Sequence, residues 1–392
     1  MQLTEKQKSE GWRIVKFGDV AQEVKGSTKD PLSEGIERYV GLEHIDPESL
    51  RLARYGSIAE DNPTFTKKFS AGDILFGRRR AYLKKAAVAD FDGICSGDIT
   101  VIAPKGEDLL PDLLPFIVQS DPFFDWAVKH SAGGLSPRTK FKSLAEFEFP
   151  LPPRPHQVEV LSRANFMKKL DNQYSEALTS GFRLLKMLQE ELIWGDKTEV
   201  KELSDFIDVK HGFAFKGKDI IDDKIGPIIV TPGNYHLYGG YNTDKDRYFR
   251  GEINNDYVLR AGDILINMTD LSKQSDTLGL PVKIPETSET YLHNQRLGKV
   301  IKKSEELIDD YLFHYLCTQT YRSKIISTAT GSTVKHTSPT KIQKSKIPVP
   351  NLETQKRISV SLNSLRLMIE KISNSKKSIN YIFRKGEWLY GI

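Results

Sequence analysis

With 392 residues, 39% hydrophobic and 28% charged, the chain has the composition of a soluble globular protein long enough for two or three domains. No run of 18 apolar residues offers a membrane span, the polar start MQLTEKQKSEGWR lacks a signal peptide's apolar core, and two cysteines (Cys95, Cys317) exclude a disulfide framework or a thiolate zinc site, so a reducing cytoplasm is expected. The 57 Lys and Arg against 52 Asp and Glu leave a net +5, which is compatible with a nucleic acid partner without arguing for one.

In chain order, KFGDVAQEVKG (16–26) comes first, followed by AGDIL (71–75). In AGDIL, Gly72 and Asp73 suit a turn, and Ile74 and Leu75 suit a strand anchored in a core. A basic run, FGRRRAYLKKA, follows directly. DITVIA (98–103) is β-rich, and LLPFIVQSDPFFDWAVKH (113–130) has helical spacing. After the glycine-rich SAGGLSPRTKFKS (131–143) comes FPLPPRPHQ (149–157). From there Val160, Ala164, Met167, Asp171, Tyr174, Leu178, Gly181, Leu185, Leu188 and Leu192 recur at alternating spacings of four and three, with Asp171 and Gly181 as the exceptions to an apolar seam. Proline-free after its start, this segment predicts a helix of nearly 40 residues, about 55–60 Å long. A heptad seam wants a partner helix; a wide core-facing stripe is the plainer alternative.

The order then repeats. ELSDFIDVKHG (202–212), a strand-like IIV (228–230), a second AGDIL (261–265), INMTDLSKQSDTLG (266–279), a helix-spaced YLFHYLCTQTYRSKII (311–326), TGSTVKHTSPTKIQKSK (330–346) and IPVPNLETQ (347–355) echo the first half. A second seam follows at Ile358, Leu362, Leu365, Ile369, Ile372, Lys376, Ile379 and Phe383. The offset grows from 186 at the first segment to 190 at AGDIL and 198 from the helical segments onward. The inserts therefore lie in the first two-thirds of the second half. The expected class is α+β with internal duplication: a globular region at 1–152, a long helix at 153–196, a second globular region at 197–350 and a second long helix at 351–392. Two such helices at matching places favour pairing with each other, antiparallel under pseudo-twofold symmetry.

GWRIVKFGDV near the start, GDIL in each half, a helix-spaced segment, a glycine, a P-x-P stretch, a glutamine and a long helix resemble, in that order, the specificity subunit of type I restriction-modification systems. VKHGFAFKGKD (209–219) resembles the opening of many target recognition domains of that family. The resemblance runs from Trp12 to the end and occurs in both halves. It implies two target recognition domains, each reading half of a split double-stranded DNA site, and two antiparallel helices that fix the unread spacer. It also implies two modification (methyltransferase) subunits docked on those helices, restriction subunits in the full complex, and no membrane. The chain itself would catalyse nothing; S-adenosylmethionine, ATP and magnesium would belong to partner subunits. A stand-alone DNA-modification enzyme and a two-armed adaptor that does not bind DNA are the competing readings.

Two near-matches bear on the first competitor. NPTF (62–65) departs from the Asn-Pro-Pro-aromatic motif of amino-methyltransferases at Thr64, and no glycine-rich cofactor loop precedes it, so a turn is expected. GFAFKGKD (212–219) has Asp219 where a phosphate-binding loop needs a hydroxyl, and an acid there repels phosphate. No histidine–cysteine or H-E-x-x-H spacing indicates a catalytic metal.

Base edges are read by fixed donors and acceptors, and phosphates by positive charge. After the first AGDIL, Arg78, Arg79, Arg80, Tyr82, Lys84 and Lys85 suit phosphate and guanine contacts; a solvated basic loop is the alternative. After the second, one lysine, Lys273, stands among amides and hydroxyls, Asn267, Thr269, Ser272, Gln274 and Ser275, which suit adenine or mixed edges, so the half-sites should differ; a solvated polar loop is the alternative. The glycine-rich pair of segments adds Arg138, Lys140 and Lys142 in the first half and Lys335, His336, Lys341 and Lys344 in the second. HNQR (293–296), paired with CSGD (95–98), is as well explained by a turn as by a DNA contact.

Overall fold

Strand Arg13–Lys16 lies antiparallel to Glu148–Leu151 and ties the start of the first globular part to its end. The structure, a computed structural model, describes residues 2–195, 198–272 and 274–386. It divides into two units, residues 1–175 with 374–392 and residues 176–373.

Within the first unit, one sheet runs Ala21–Glu23, Ile99–Pro104, Ile74–Gly77, Ala86–Val88, all antiparallel. A second runs Gly56–Ser57, Arg38–Val40, Gly93–Cys95, Lys67–Phe69, around a parallel central pair. Every residue of Ile74–Gly77 is buried, because this strand serves two cores at once. Leu75 joins the cluster of Val40, Cys95 and Val101, while Ile74 and Phe76 face that of Phe17, Phe123 and Phe149.

The second unit repeats this plan strand for strand. Val200–Glu202 pairs with Lys346–Pro348. One sheet runs Ile207–His211, Leu297–Lys302, Ile264–Asn267, Pro281–Lys283. The other runs Arg247–Phe249, Ile228–Val230, Tyr291–His293, Val258–Leu259, again around a parallel pair, with Ile220–Ile221 added at its edge. Ile264 and Ile266 face one core and Leu265 the other, as in the first unit. This is the expected duplicated α+β fold.

Both AGDIL sequences form the same turn. Gly72 and Gly262 take φ of +94° and +83°, the left-handed region open to glycine. Asp73 Oδ2 accepts from the Ser70 amide at 2.8 Å, and Asp263 Oδ2 from the Arg260 amide at 2.8 Å. Each helix-spaced segment is two helices, Leu114–Gln119 with Asp121–Lys129 and Asp309–Cys317 with Gln319–Ser327. The breaks fall at Ser120 and Thr318, whose extended ψ of 148° ends one helix and caps the next; Pro122 in the following turn reinforces the first break.

The long helices span Arg154–Trp194 and Leu352–Lys385. Two buried glutamines fix their starts. Gln157 Oε1 accepts from the Leu110 amide (2.8 Å), and its Nε2 donates to the carbonyls of Asp108 (2.7 Å) and Pro152 (3.0 Å). Gln355 does the same with the Ile308 amide (2.9 Å) and the carbonyls of Glu306 and Pro350 (2.8 Å each).

Every seam residue is buried or half-buried. In the first unit the seam's two charged exceptions meet, Lys376 Nζ lying 3.5 Å from Asp171 Oδ1, and Phe383 packs on Phe116 in the cluster that holds Val160 and Ala164. In the second unit Ile369 lies over Gly181, where a Cβ would stand 3.0 Å from its Cγ1. Further along, Gln189 Nε2 lies 3.1 Å from His314 Nδ1, and His314 Nε2 2.9 Å from Asn363 Oδ1. Residue numbers rise along one helix as they fall along the other, so the pairing is antiparallel. A polar pair and a glycine inside an apolar seam specify one register, which an all-leucine seam would not. No described helix is long and apolar enough to cross a membrane.

Candidate nucleic-acid interface

In each unit three segments meet beyond the end of the AGDIL strand. In the first, Arg79 and Arg138 face each other across an antiparallel bridge, the Arg78 amide donates to the Asp98 carbonyl at 2.9 Å, and the Thr139 amide to the Arg78 carbonyl at 2.9 Å. In the second, Thr269 pairs with His336, the Met268 amide donates to the Arg296 carbonyl at 3.0 Å, and the Thr337 amide to the Met268 carbonyl at 3.0 Å. The segment after AGDIL and the glycine-rich segment, 45 or more residues apart in sequence, thus form one surface. CSGD and HNQR close each group as tight turns, with Ile99 N bonded to Ser96 O and Leu297 N to Asn294 O, each at 3.0 Å.

Side chains on this common backbone differ sharply. In the first unit Asp98 is pinned between two guanidiniums. Arg138 Nε donates to Oδ1 at 2.7 Å and Arg79 Nη1 to Oδ2 at 3.3 Å. Burial works against the charge of Asp98, but the bonds from Arg138 and Arg79 hold its carboxyl below the usual carboxylate range. Ser136 Oγ accepts from Arg79 Nη2 (3.2 Å) and Arg80 Nη2 (3.4 Å). Arg80 and Lys84 take φ of +54° and +50°, left-handed conformations that are costly for residues with a Cβ and held here by the surrounding bonds. Leu135, 97% exposed between Gly134 and Ser136, stands at the loop tip.

Not all the sequence candidates face solvent. Arg80, Tyr82, Arg138, Lys140 and Lys142 are exposed, and Arg78 and Arg79 half-buried. Lys84 and Lys85 are anchors: Lys84 Nζ donates to Asp121 Oδ1 at 2.5 Å, and Lys85 Nζ to the Leu42 carbonyl at 2.7 Å. In the second unit Gln274, His336 and Lys344 are exposed and Lys335 half-buried. Asn267 needs correcting from reader to support. It is fully buried, its Nδ2 donating to Thr277 Oγ1 at 2.8 Å and its Oδ1 accepting from the Thr269 amide at 3.1 Å. Thr269 is 7% exposed, its hydroxyl 3.1 Å from His336 Nδ1 and covered by that ring's strand. Lys341 Nζ bonds the Thr328 carbonyl at 2.5 Å and closes the end of helix Gln319–Ser327. Lys273 lies outside the described residues.

Asp98 and Arg296 lie in the paired CSGD and HNQR strings, for which a turn and a DNA contact are equally good explanations from sequence, and their place beside the basic segments depends on strand pairing across the sheet. Arg322 carried no signal. It is 7% exposed and donates to the carbonyls of Ser275 (2.9 Å), Asp276 (2.7 Å) and Leu278 (3.4 Å), holding residues 275–278 from beneath. Asp270 adds bonds of its own, accepting from the amides of Ser272 (2.7 Å) and Thr277 (2.6 Å) and the Thr277 hydroxyl (2.8 Å). Neither near-match motif has its motif's setting. Asn62 ends a four-residue helix with φ +47°, and GFAFKGKD runs from the end of strand Ile207–His211 into a single turn at Gly217–Asp219, with no phosphate-binding helix behind it.

Comparison with known proteins agrees with the duplicated architecture. The "Type I restriction enzyme EcoDI specificity subunit" of Escherichia coli is 28% identical over 192 residues, 48% of this chain and 42% of that protein. The "Type I restriction enzyme MjaVIII specificity subunit" of Methanocaldococcus jannaschii is 22% identical over 410 residues, 96% of this chain and 91% of that protein. Two solved structures share the fold. One, from work on complex assembly and conformational transition of the type I R-M system, has a TM-score of 0.56 at 20% identity and covers 97% of this chain and 96% of its own. The other, the type I restriction-modification S subunit from M. genitalium, has a TM-score of 0.51 at 13% identity, over 98% and 97%. The family described as "Type I restriction modification DNA specificity domain" matches residues 9–180 and again 195–381, and with both halves of the repeat inside those matches the chain belongs to the type I restriction-modification specificity family.

Proposed function

We propose that each unit reads one half of an asymmetric, bipartite double-stranded DNA site. The long helices fix the unread spacer and carry two modification subunits, and restriction subunits join in the full complex. The chain is non-catalytic in this reading; S-adenosylmethionine, ATP and magnesium act on the partners. The observation that carries it is the repeated backbone frame with exchanged side chains: Arg79, Asp98 and Arg138 in one unit, Thr269, Arg296 and His336 in the other. One geometry presenting different donors and acceptors is what reading two unlike half-sites needs, and half-sites must lie at a fixed phase on the duplex.

The docking role is supported by the outer faces of the helices, which keep Phe166, Met187, Val360 and Met368 at 58–62% exposure; Leu184 and Ile382, at matching positions, are 46% and 54% exposed. Such apolar residues on an otherwise charged helix suit a protein partner. Methylome sequencing of a host carrying this chain with its modification subunit tests the reading, the expected result being modification at one split, asymmetric motif. Inserting one heptad into both helices should change the spacing of the motif and leave its two halves intact. Unchanged spacing refutes the ruler role, and methyl transfer, ATP hydrolysis or nicking by the purified chain alone refutes the non-catalytic role.

A further inference from the structure

We propose that Asp98 is a positioning residue for DNA reading: it holds Arg138 as a fixed guanidinium fork for a guanine edge, with the tethered charge of Arg79 beside it, and Arg296 occupies the equivalent reading position in the second unit. This rests on the DNA-reading function proposed above and assigns its chemistry to particular groups.

An acid in a phosphate-binding loop is unfavourable for affinity, since it repels the backbone and cancels one cation. Asp98 is nonetheless at the centre of the first unit's basic surface and contacts two of its arginines through separate oxygens, at 2.7 and 3.3 Å. Such an arrangement trades attraction for orientation. Arg138 is held through Nε, which leaves its two terminal amino groups side by side for the O6 and N7 acceptors of guanine. Arg79 is held at both terminal nitrogens, by Asp98 and by Ser136, and its Nε is buried without a hydrogen-bond partner among the described residues. Its charge is therefore fixed in place beside Arg138 across the backbone bridge.

The second unit keeps the backbone and reverses the charge. Arg296 stands at the turn position of Asp98, exposed, with His336 at the position of Arg138 and Thr269 at that of Arg79. The first unit thus presents a fork aligned by an acid beside a tethered guanidinium, and the second a fork beside an imidazole. The turn residue at the base of each reading surface is where the two readers diverge most in charge.

The test uses the complex assembled with its modification subunits and three kinds of duplex: the methylome-defined site, the same duplex with the site scrambled, and the site with each half-site base replaced singly. For Asp98→Asn, binding to the scrambled duplex should be unchanged or tighter, because one negative charge is gone. Binding to the true site should weaken by roughly 5- to 150-fold, the scale of a lost bidentate base contact. Discrimination should fall only at guanine positions of the half-site read by the first unit. Arg138→Lys keeps the charge and loses the fork, so it should show the same loss at the same positions; it also carries the test if Asp98→Asn fails to fold. Arg296→Gln should weaken reading of the other half-site alone. An equal loss on true and scrambled duplexes would make Asp98 a fold staple and overturn the proposal, as would an unchanged ratio or a loss spread over both half-sites. If the unaltered complex itself does not distinguish true from scrambled duplex, the DNA-reading function fails, a different result from any of these.

Discussion

The second unit should unfold selectively in mild acid, and two buried histidines set the size of the effect. His293 and His314 are 1% and 0% exposed, and burial pushes the pKa of each from 6.5 down to about 4. His293 Nε2 lies 2.9 Å from the Leu297 carbonyl, with Lys299, Lys210 and Asp263 as its charged surroundings. His314 bridges Gln189 and Asn363, with Arg366, Asp310 and Lys283 nearby. Folded, both rings stay neutral; unfolded, both take a proton near pH 6.5. Stability from these groups is therefore complete above about pH 6.5, falls as the pH drops, and stops falling below about pH 4. At 1.36 kcal/mol per pH unit the loss is about 3.4 kcal/mol per ring, or about 7 kcal/mol together, against a typical domain stability of roughly 5–15 kcal/mol. The equivalent positions in the first unit are Cys95 and Phe116, neither of which gains a proton in this range. Hydrogen exchange with urea, read separately for the two units from pH 7.5 to 4, measures the difference. Replacing His314 with phenylalanine, its counterpart's residue, strands Gln189 and Asn363 and lowers stability at every pH. The readout is the slope, which should fall by up to about 1.4 kcal/mol per pH unit between pH 4 and 6.5. An unaltered slope, or parallel loss in both units, refutes the reasoning.

Gln157→Ala and Gln355→Ala should each lower the stability of their own unit by about 3 kcal/mol, three buried hydrogen bonds at about 1 kcal/mol apiece, as measured by urea unfolding. Gly72→Ala and Gly262→Ala should cost about 1–2 kcal/mol each and equally, because a Cβ at either position meets nothing within 4 Å and only the left-handed backbone opposes it. Gly239→Ala, also at positive φ but with Cys317 Sγ 2.8 Å from the new Cβ, should cost more in the same assay. Arg322→Met should free residues 275–278, seen as faster amide exchange there, and weaken recognition of one half-site while leaving the other intact in a binding assay with singly substituted duplexes.

Periodicity and repetition are one-dimensional properties, and what depends on them was legible in the sequence. The doubled AGDIL turn, the two glutamines after P-x-P and the two heptad seams could be found by offset alone. Two of their physical causes are local, a glycine that must take positive φ and apolar residues on one helix face; the glutamines could be found by position, but their loop partners lie 47–49 residues away. The seam's exceptions were visible too, but only packing shows that Asp171 meets Lys376 and that Gly181 makes room for Ile369. The candidate surface was legible only in part. Composition marks Arg78–Arg80 and Arg138 as cationic, yet it cannot separate a lysine that faces solvent from one tied to Asp121, or an exposed asparagine from Asn267, which is buried. That distinction rests on burial and on partners far away in the chain. Asp98 and Arg296 show it most clearly: each sits in a turn without a distinctive local pattern, and each is brought beside its basic neighbours by sheet pairing. The sequence by itself determined the repeat, the two AGDIL turns and the two long helices, because those follow from local spacing. Which side chains share a surface was decided by the tertiary fold alone, because contact between residues 40 or more positions apart depends on how strands pair.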